Sequence, residues 1–358
     1  MNILSLFDGM SCGQIALNRI GVTPSKYYAA EIDKYAIKVT QANYPDTIQL
    51  GSVTDWREWD LDWSTIDLVS GGFPCQAWSM AGKQLGDKDD RGMLFWVMLD
   101  IMKHAKQANP KIKFLIENVK MKKEFEDYIT DHTEQALGQV NKVLINSALV
   151  SAQNRRRFYW TNWHVEQPED KGIVLADVIE QSPDEITVMS DKFTTRNAHI
   201  LRDDLSGKAK NLSAMEYVKN GRQGDYIRHD TPQRVATASD IKGHDYNKRI
   251  YSVHGKCPTL AASSGGNLEP KILQVSRGFN KGGIKAIDGK TPTLSANSWE
   301  QNNKLLKGIH YRKLTPTECE RLQTVPDGYT NHVSNTQRYK MLGNGWTVDV
   351  IAHILKQG

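Results

Sequence analysis

Short apolar runs and longer amphipathic segments alternate along the first 160 residues of the chain. The apolar runs predict buried strands, because parallel strands covered on both faces are hydrophobic throughout. These strands are predicted at residues 2–7, 27–32, 66–70, 114–116, 143–150 and 158–163, and helices at 14–20, 34–43, 92–106 and 121–137. Strand–helix alternation of this kind is typical of an α/β fold, so we predict a doubly wound, mostly parallel sheet.

After about residue 185 the pattern changes. Gly, Ser, Thr, Asn and Lys dominate, and a weak repeat occurs as GKCPTL at 255–260 and GKTPTL at 289–294. Short segments between turn residues predict a small, irregular, strand-rich domain over residues 186–325. Residues 1–185 and 326–358 would then form the larger domain, with an apolar-periodic helix at 346–355 returning to it.

The composition is that of an ordinary globular protein, with 24% charged and 39% hydrophobic residues in 358. No run reaches the length of a membrane span, and the seven apolar N-terminal residues are too few for a signal peptide. The four cysteines lack paired zinc spacing, so we expect a metal-free, cytoplasmic protein.

The net charge of +5 is unevenly distributed along the chain. Residues 190–309 contain 20 Lys and Arg against 11 Asp and Glu. This excess is consistent with a polyanionic partner, and equally with a solvated basic surface.

Three groups of residues carry candidate chemistry. Cys75, in GGFPCQ, follows a predicted strand and could be a nucleophile or an inert core residue. Glu117 ends another strand at the same edge of the sheet, where burial requires a partner or a bound proton. Arg155 and Arg157 share one face of an extended segment and could orient a carboxylate and a base carbonyl, or could simply be surface residues.

A second set of residues is typical of a nucleoside site. Gly9 and Gly13 lie in the loop after the first strand, where backbone can approach a ligand at a helix N-terminus. Glu31 lies at the end of the second strand, where an acid commonly binds ribose hydroxyls, although it could equally cap the next helix. Together these residues predict a nucleoside cofactor.

The order of the motifs resembles that of the C5-cytosine-specific DNA methyltransferases of bacteria and phages. The matching blocks are F-x-G at Phe7, GGFPCQ, ENV, QxRxR, RKLTPTECERLQTVPDGY (312–329) and LGNGWTV (342–348). The resemblance implies the Rossmann-like fold of class I S-adenosylmethionine-dependent methyltransferases and a separate target-recognition domain. It also favours the nucleophile over the inert thiol at Cys75.

The family resemblance assigns roles to the candidate residues. It implies that Cys75 adds to C6 of a cytosine flipped out of duplex DNA, while Glu117 contacts N3. Arg155 and Arg157 match the arginines that hold the base and the glutamate. S-adenosyl-L-methionine would supply the methyl group and leave as S-adenosyl-L-homocysteine, and the base that removes the C5 proton is not identified.

Cofactor and DNA contacts carry over from the same resemblance. The expected cofactor residues are Phe7, Asp8, Gly9, Met10, Glu31, Ile32, Ser52, Val53, Pro74, Asn344 and Trp346. The expected DNA contacts are Gln76, Ser79, Lys83, Arg91, Gln153, Thr259 and Leu260.

The chain departs from the family pattern at three places. The loop after the first strand reads FDGMSCG at 7–13, where many bacterial members have F-x-G-x-G-G. Ser52 stands where the family usually has an acid that meets the adenine amine, so Asp55 or a backbone carbonyl could serve instead. Gly345-Trp346 replaces the usual Ser-Val.

The leading hypothesis is a stand-alone DNA cytosine-5 methyltransferase, monomeric on double-stranded DNA. It would serve restriction–modification, with a possible cognate endonuclease, or phage self-protection. A tRNA cytosine methyltransferase shares nearly all the motifs and is the first rival. A catalytically inactive DNA-binding or cofactor-sensing module is the second, although the intact set of Cys75, Glu117, Arg155 and Arg157 disfavours it.

Overall fold

The computed structural model describes most of the chain. The described residues are 1–74, 93–180 and 309–358, with shorter pieces at 188–190, 193–195, 232, 234–238, 241, 243–251, 255–260 and 271–275.

A seven-stranded sheet forms the centre of the larger part. Its strands are β1 (Asn2–Leu6), β2 (Lys26–Ala30), β3 (Ile48–Gln49), β4 (Ile66–Gly71), β5 (Lys113–Val119), β6 (Asn141–Asn146) and β7 (Arg156–Thr161). They lie in the order β3-β2-β1-β4-β5-β7-β6, and β7 is antiparallel to both of its neighbours. The other four pairings are parallel, which confirms the predicted mostly parallel sheet.

Helices cover both faces of this sheet. They are α1 (Cys12–Arg19), α2 (Lys34–Asn43), α3 (Met93–Ala108), α4 (Lys123–Leu137) and the short α5 (Leu175–Val178). The alternation along β5 shows how the faces divide: Phe114 and Ile116 pack with α3 and α4, whereas Leu115 packs with α1. Because alternate side chains of a strand point to the same face of a sheet, Glu117 lies on the same face as Leu115.

One predicted strand ends early in the structure, and one short strand was not predicted. The strand predicted over 143–150 ends at Asn146, whose side chain accepts a hydrogen bond from the Ala148 amide and begins a 3₁₀ turn. The strand β3 was not predicted, because two residues carry no periodic signal.

The C-terminal segment returns to the larger sheet, as predicted. In chain order its helices are α7 (Pro316–Leu322), α8 (Asn335–Asn344) and α9 (Val348–Lys356), numbered after α6 (Asp245–Lys248). Ile351 of α9 packs in one cluster with Ile15 of α1, and Asp349 pairs with Arg19. The helix α9 begins two residues later than predicted, so Trp346 lies in the turn between α8 and α9.

A second sheet lies in the region predicted to be strand-rich. Its strands are β8 (Val188–Ser190), β9 (Phe193–Thr195), β10 (Arg234–Ala238), β11 (Arg249–Tyr251), β12 (Lys271–Val275) and β13 (Ile309–Lys313), in the order β8-β13-β12-β11-β10-β9. Only the β11–β12 pairing within this sheet is parallel. The domain boundaries at 185 and 326 stay a prediction. Among the described helices, none combines the length and the apolar character that crossing a membrane requires.

Candidate functional site

A cavity of about 500 Å³ opens at the carboxyl ends of β1, β2, β4 and β5. This is the edge where open α/β sheets bind ligands. It is lined by ten of the eleven residues predicted to bind the cofactor: Phe7, Asp8, Gly9, Glu31, Ile32, Ser52, Val53, Pro74, Asn344 and Trp346. The exception is Met10, whose side chain is buried in the core against α1 and α9.

The loop after β1 adopts a backbone conformation that residues other than glycine rarely take. Phe7, Gly9 and Ser11 have φ angles of 55°, 61° and 59°, in the left-handed region. Such backbone persists only where its surroundings determine it. Here the Asp8 carboxylate accepts hydrogen bonds from the hydroxyls of Ser11 and Tyr27, the latter at 2.8 Å.

The environment of Asp8 favours its neutral form. Desolvation raises the pKa of Asp8 from 3.8 to about 6, while the hydrogen bonds from Ser11, Ser5 and Tyr27 act in the opposite direction. The cavity therefore contains a carboxyl group that titrates just below neutral pH.

Glu31 joins the ends of β1 and β2. Its Oε2 accepts from the Gly9 amide at 2.7 Å, and its Oε1 accepts from the amides of Ile32 and Asp33 at 2.8 Å each. Asp33, rather than Glu31, caps helix α2, since Asp33 Oδ1 accepts from the Tyr35 amide. The helix-capping alternative for Glu31 is therefore wrong, and a carboxylate with acceptor capacity to spare lines the cavity.

Ser52 and Ile32, which both follow Glu31 in the chain, line the same cavity. The Ser52 hydroxyl caps the 3₁₀ segment Val53–Glu58 by accepting from the Thr54 amide at 3.2 Å. The Ile32 side chain is 76% exposed. An exposed isoleucine at the cavity provides an apolar surface for a flat ring.

The buried carboxylate of Glu117 has a separate donor for each oxygen. Glu117 is 8% exposed; Arg157 Nε lies 3.0 Å from Oε1, and Trp346 Nε1 donates to Oε2 at 3.1 Å. Because burial of an unpaired carboxylate is costly, these partners are what allow Glu117 to occupy the site. The structure therefore shows a buried carboxyl group with a donor at each oxygen.

The two predicted arginines both line the cavity, and Arg156 between them is exposed. Arg157 pairs with Glu117, and the buried Arg155 guanidinium donates to the carbonyls of Gly343 at 3.2 Å and Gly345 at 3.0 Å. These carbonyls lie at the C-terminal end of α8, where the last carbonyl groups have no N–H donor within the helix. Arg155 thus holds the α8–α9 turn in place.

Three residues that the sequence analysis did not single out also shape the site. The buried Gln323 donates to the carbonyls of Leu342 at 2.6 Å and Gly345 at 3.2 Å, and accepts from the Thr347 hydroxyl at 2.8 Å. The Asn118 amide donates to the Phe73 carbonyl at 3.2 Å, and Gly72 lies directly against Glu117. All three stand inside the quoted motifs, which is the signal that could have identified them.

The predicted DNA contacts divide between described and undescribed residues. Cys75, Gln76, Ser79, Lys83 and Arg91 fall within 75–92, outside the described residues. The Thr259 hydroxyl donates to the Asn154 carbonyl at 2.8 Å, and Leu260 is buried. Gln153 is fully buried, forms a β-bridge with Cys257, and its side-chain amide has no hydrogen-bond partner in the described part of the chain.

The first copy of the repeat, residues 255–260, is anchored to the larger part of the molecule. The buried Lys256 ammonium donates to the carbonyls of Ala148 at 2.8 Å, Ser151 at 3.1 Å and Ile173. Main-chain hydrogen bonds join Cys257 to Ala152 and Asn154 in addition. Thr259 and Leu260 therefore lie beside the point at which residues 255–260 are attached to the larger part of the molecule.

No cluster of His, Cys, Asp and Glu suited to a metal ion occurs among residues that the structure describes.

Comparison with known proteins identifies relatives along the whole chain. The family model described as C-5 cytosine-specific DNA methylase matches residues 1–358. The orphan methyltransferase M.SPBetaI of Bacillus phage SPbeta is 27% identical, covering 100% of this chain and 97% of the relative. The type II methyltransferase M.HhaI of Haemophilus parahaemolyticus is also 27% identical, covering 99% and 93%.

Solved structures share the fold at lower identity. Entamoeba histolytica methyltransferase EhMeth aligns with a TM-score of 0.58 and 13% identity, covering 100% of this chain and 97% of the other. Spodoptera frugiperda DNMT2 aligns with a TM-score of 0.55 and 19% identity, covering 99% and 98%.

Proposed function

Since the chain belongs to the C-5 cytosine-specific DNA methylases, we propose that it methylates C5 of a cytosine flipped out of duplex DNA, with Cys75 as nucleophile and Glu117 as the group that contacts the base. The observation that carries this proposal is the Glu117 carboxylate inside the cavity, which is paired with Arg157 at one oxygen and hydrogen-bonded to Trp346 at the other. Pro74, the residue before Cys75 in the chain, lines the same cavity.

The residues around the cavity fit S-adenosyl-L-methionine. Glu31 keeps acceptor capacity for ribose hydroxyls, and Ile32 and Phe7 offer apolar surface to an adenine ring. Gly9 has nothing within 4 Å of the position of a Cβ, so the loop leaves room for a ligand at the backbone. The bound cofactor supplies an electrophilic methyl group and becomes S-adenosyl-L-homocysteine.

The reaction follows from the poor nucleophilicity of cytosine C5. The Cys75 thiolate forms a bond to C6, which raises the electron density at C5, and the C5–methyl bond then forms. A carboxyl at Glu117 that shares a proton with N3 stabilises the charge that builds in the ring. A base removes the C5 proton, the S–C6 bond breaks, and the aromatic ring is restored with the thiolate as leaving group.

Double-stranded DNA is the proposed macromolecular substrate, bound by a single copy of the chain. The excess of positive charge over residues 190–309 supports it, since lysines and arginines bind phosphates irrespective of sequence. A role in restriction–modification or phage self-protection, in a bacterial cytoplasm, accords with the phage and bacterial relatives. A cognate restriction endonuclease is part of the first of these roles.

The substrate class is tested by transfer of labelled methyl groups to duplex DNA and to tRNA. We expect DNA to be methylated and tRNA to remain unlabelled. Replacement of the nucleophile in Cys75→Ser should lower the rate on the order of 10⁴-fold or more while DNA binding is retained. The matched control, Cys319→Ala, alters a buried cysteine that does not line the cavity and should keep the rate within about twofold.

Labelling of tRNA in preference to DNA would overturn the DNA assignment, and normal methylation by Cys75→Ser would overturn the assigned chemistry. Bisulfite sequencing of plasmid DNA from an expressing strain then gives the target sequence needed for quantitative work.

A further inference from the structure

Trp346 lies where a hydrogen-bond donor can control the orientation of Glu117. We infer that Trp346 is a positioning residue for methyl transfer: its indole N–H holds the Glu117 carboxylate in the plane that meets the cytosine. This inference rests on the proposed function, because it gives a role to a second donor at the same carboxylate. The contact joins residues 229 positions apart, with Nε1 and Oε2 separated by 3.1 Å.

One donor alone would leave the carboxylate free to turn. The last torsion of a glutamate side chain is broad, with two nearly equivalent orientations. Arg157 Nε approaches Oε1 at 3.0 Å, and the indole N–H approaches the other oxygen, Oε2. Two donors on different oxygens fix the carboxylate plane, which a single ion pair does not.

Gly72, three residues before Cys75 in the GGFPCQ motif, provides independent support. A Cβ on Gly72 would lie 2.8 Å from Glu117 Oε2 and 3.1 Å from Trp346 Nε1. Real Cβ contacts are essentially never as short as the first distance. The absence of a side chain at Gly72 therefore leaves the space in which the indole and the carboxylate meet.

The turn that presents Trp346 is held from two sides. The Gly345 carbonyl accepts from Arg155 at 3.0 Å and from Gln323 at 3.2 Å. A Cβ on Gly345 would approach Met10 Cε to 3.0 Å and the Met341 carbonyl to 3.1 Å, so the turn packs against the loop after β1. This packing gives a physical reason for Gly-Trp at a place where the sequence departs from the usual Ser-Val.

The inference differs from the predicted role of Trp346 as a wall of the cofactor site. A cofactor wall would act on cofactor affinity. A positioning residue acts on the rate of methyl transfer when both cofactor and DNA are saturating, since misplacement of a catalytic group by about 1 Å can cost on the order of 10²-fold.

Trp346→Phe removes the N–H while keeping an aromatic ring. The matched control is Trp163→Phe, because the Trp163 indole also donates over 3.1 Å, to the Ile354 carbonyl, and does not line the cavity. In single-turnover assays we expect Trp346→Phe to lower the methyl-transfer rate by about 10- to 100-fold. The dissociation constant of S-adenosyl-L-homocysteine, measured by calorimetry, should change by less than about twofold, and Trp163→Phe should leave both quantities within about twofold.

A double-mutant cycle with Glu117→Gln shows whether Trp346 acts through the carboxylate. We expect Trp346→Phe to cause no further loss in the Glu117→Gln background. Losses that multiply, or a weakening of cofactor binding equal to the loss of rate, would overturn the inference.

If Trp346→Phe does not fold, Gly72→Ala tests the same contact from the other side: a loss of rate at unchanged cofactor affinity supports the inference, and an unchanged rate overturns it. Failure of the unaltered protein to methylate DNA would instead refute the proposed function.

Discussion

At the scale of single residues, the site combines carboxyl groups whose surroundings differ. Glu31 and Glu117 are each surrounded by N–H donors, whereas Asp8 is held by hydroxyls in a partly buried loop. Hydroxyl donors offset only part of the desolvation of Asp8, so its pKa is raised. The consequence is a pH dependence of stability that belongs to this loop.

The substitution Asp8→Asn isolates this dependence. A raised pKa means that the protonated form stabilises the folded state, and this stabilisation is lost as pH rises from 3.8 through about 6. Asparagine does not titrate, so the melting temperature of Asp8→Asn minus that of the unaltered protein should increase by a few degrees between pH 4.5 and 7.5. Differential scanning calorimetry over this range measures it, and a difference that is constant or falls with pH would contradict the assignment.

Residue-scale chemistry was predictable from sequence to the extent that it is local. The alternation of Arg155 and Arg157 along a strand predicted two same-facing guanidinium groups. The hydrogen bond from Trp346 to Glu117 was not predictable, because it depends on how the α8–α9 turn packs against β5. Similarly, only the geometry of the turn after β2 decides that Asp33 and not Glu31 caps α2.

At the scale of elements, side chains from distant segments bind the free carbonyls at turns and helix ends. Arg155 and Gln323 do this at the end of α8, and Lys256 does it for the carbonyls of Ala148, Ser151 and Ile173. A buried ammonium with three acceptors is fully used as a donor. The residues 255–260 are thereby attached to the segment that contains the QxRxR motif.

Replacing this ammonium tests how much the attachment contributes. Lys256→Met keeps the aliphatic stem but leaves three carbonyls without their donor, which should lower the free energy of unfolding by about 2–3 kcal/mol. Urea denaturation followed by circular dichroism measures the loss. Lys103→Met, at an exposed position of α3, is the control and should change stability by less than about 0.5 kcal/mol. Equal effects of the two substitutions would show that the Lys256 contacts contribute nothing specific.

The larger elements were predictable because each strand coincides with an apolar run and each helix with an amphipathic segment. The position of β7 between β5 and β6 was not predictable, because the hydrophobic pattern of a strand does not indicate which other strands it pairs with. The sequence pattern also did not show that α9 begins at Val348 rather than at Trp346. Trp346 fits the helical spacing of apolar residues, but in the structure it lies in the turn before the helix.

At the scale of the whole molecule, the sheet edge gathers the predicted cofactor residues from segments as far apart as Phe7 and Trp346. The motifs predicted this convergence through their order, because parallel strands end at one edge. The proposed reaction requires in addition that the Cys75 thiol bonds to the base.

The central claim, covalent attack by Cys75, is tested most directly with duplex DNA that carries 5-fluorocytosine at the methylated position. Fluorine at C5 cannot leave as the proton does, so elimination is blocked and the S–C6 bond persists. With S-adenosyl-L-methionine present, the account predicts a protein–DNA adduct that survives denaturing electrophoresis and maps to Cys75 by mass spectrometry, and that Cys75→Ser does not form. No adduct from a protein that methylates the same duplex containing ordinary cytosine, or an adduct at another residue, would contradict it.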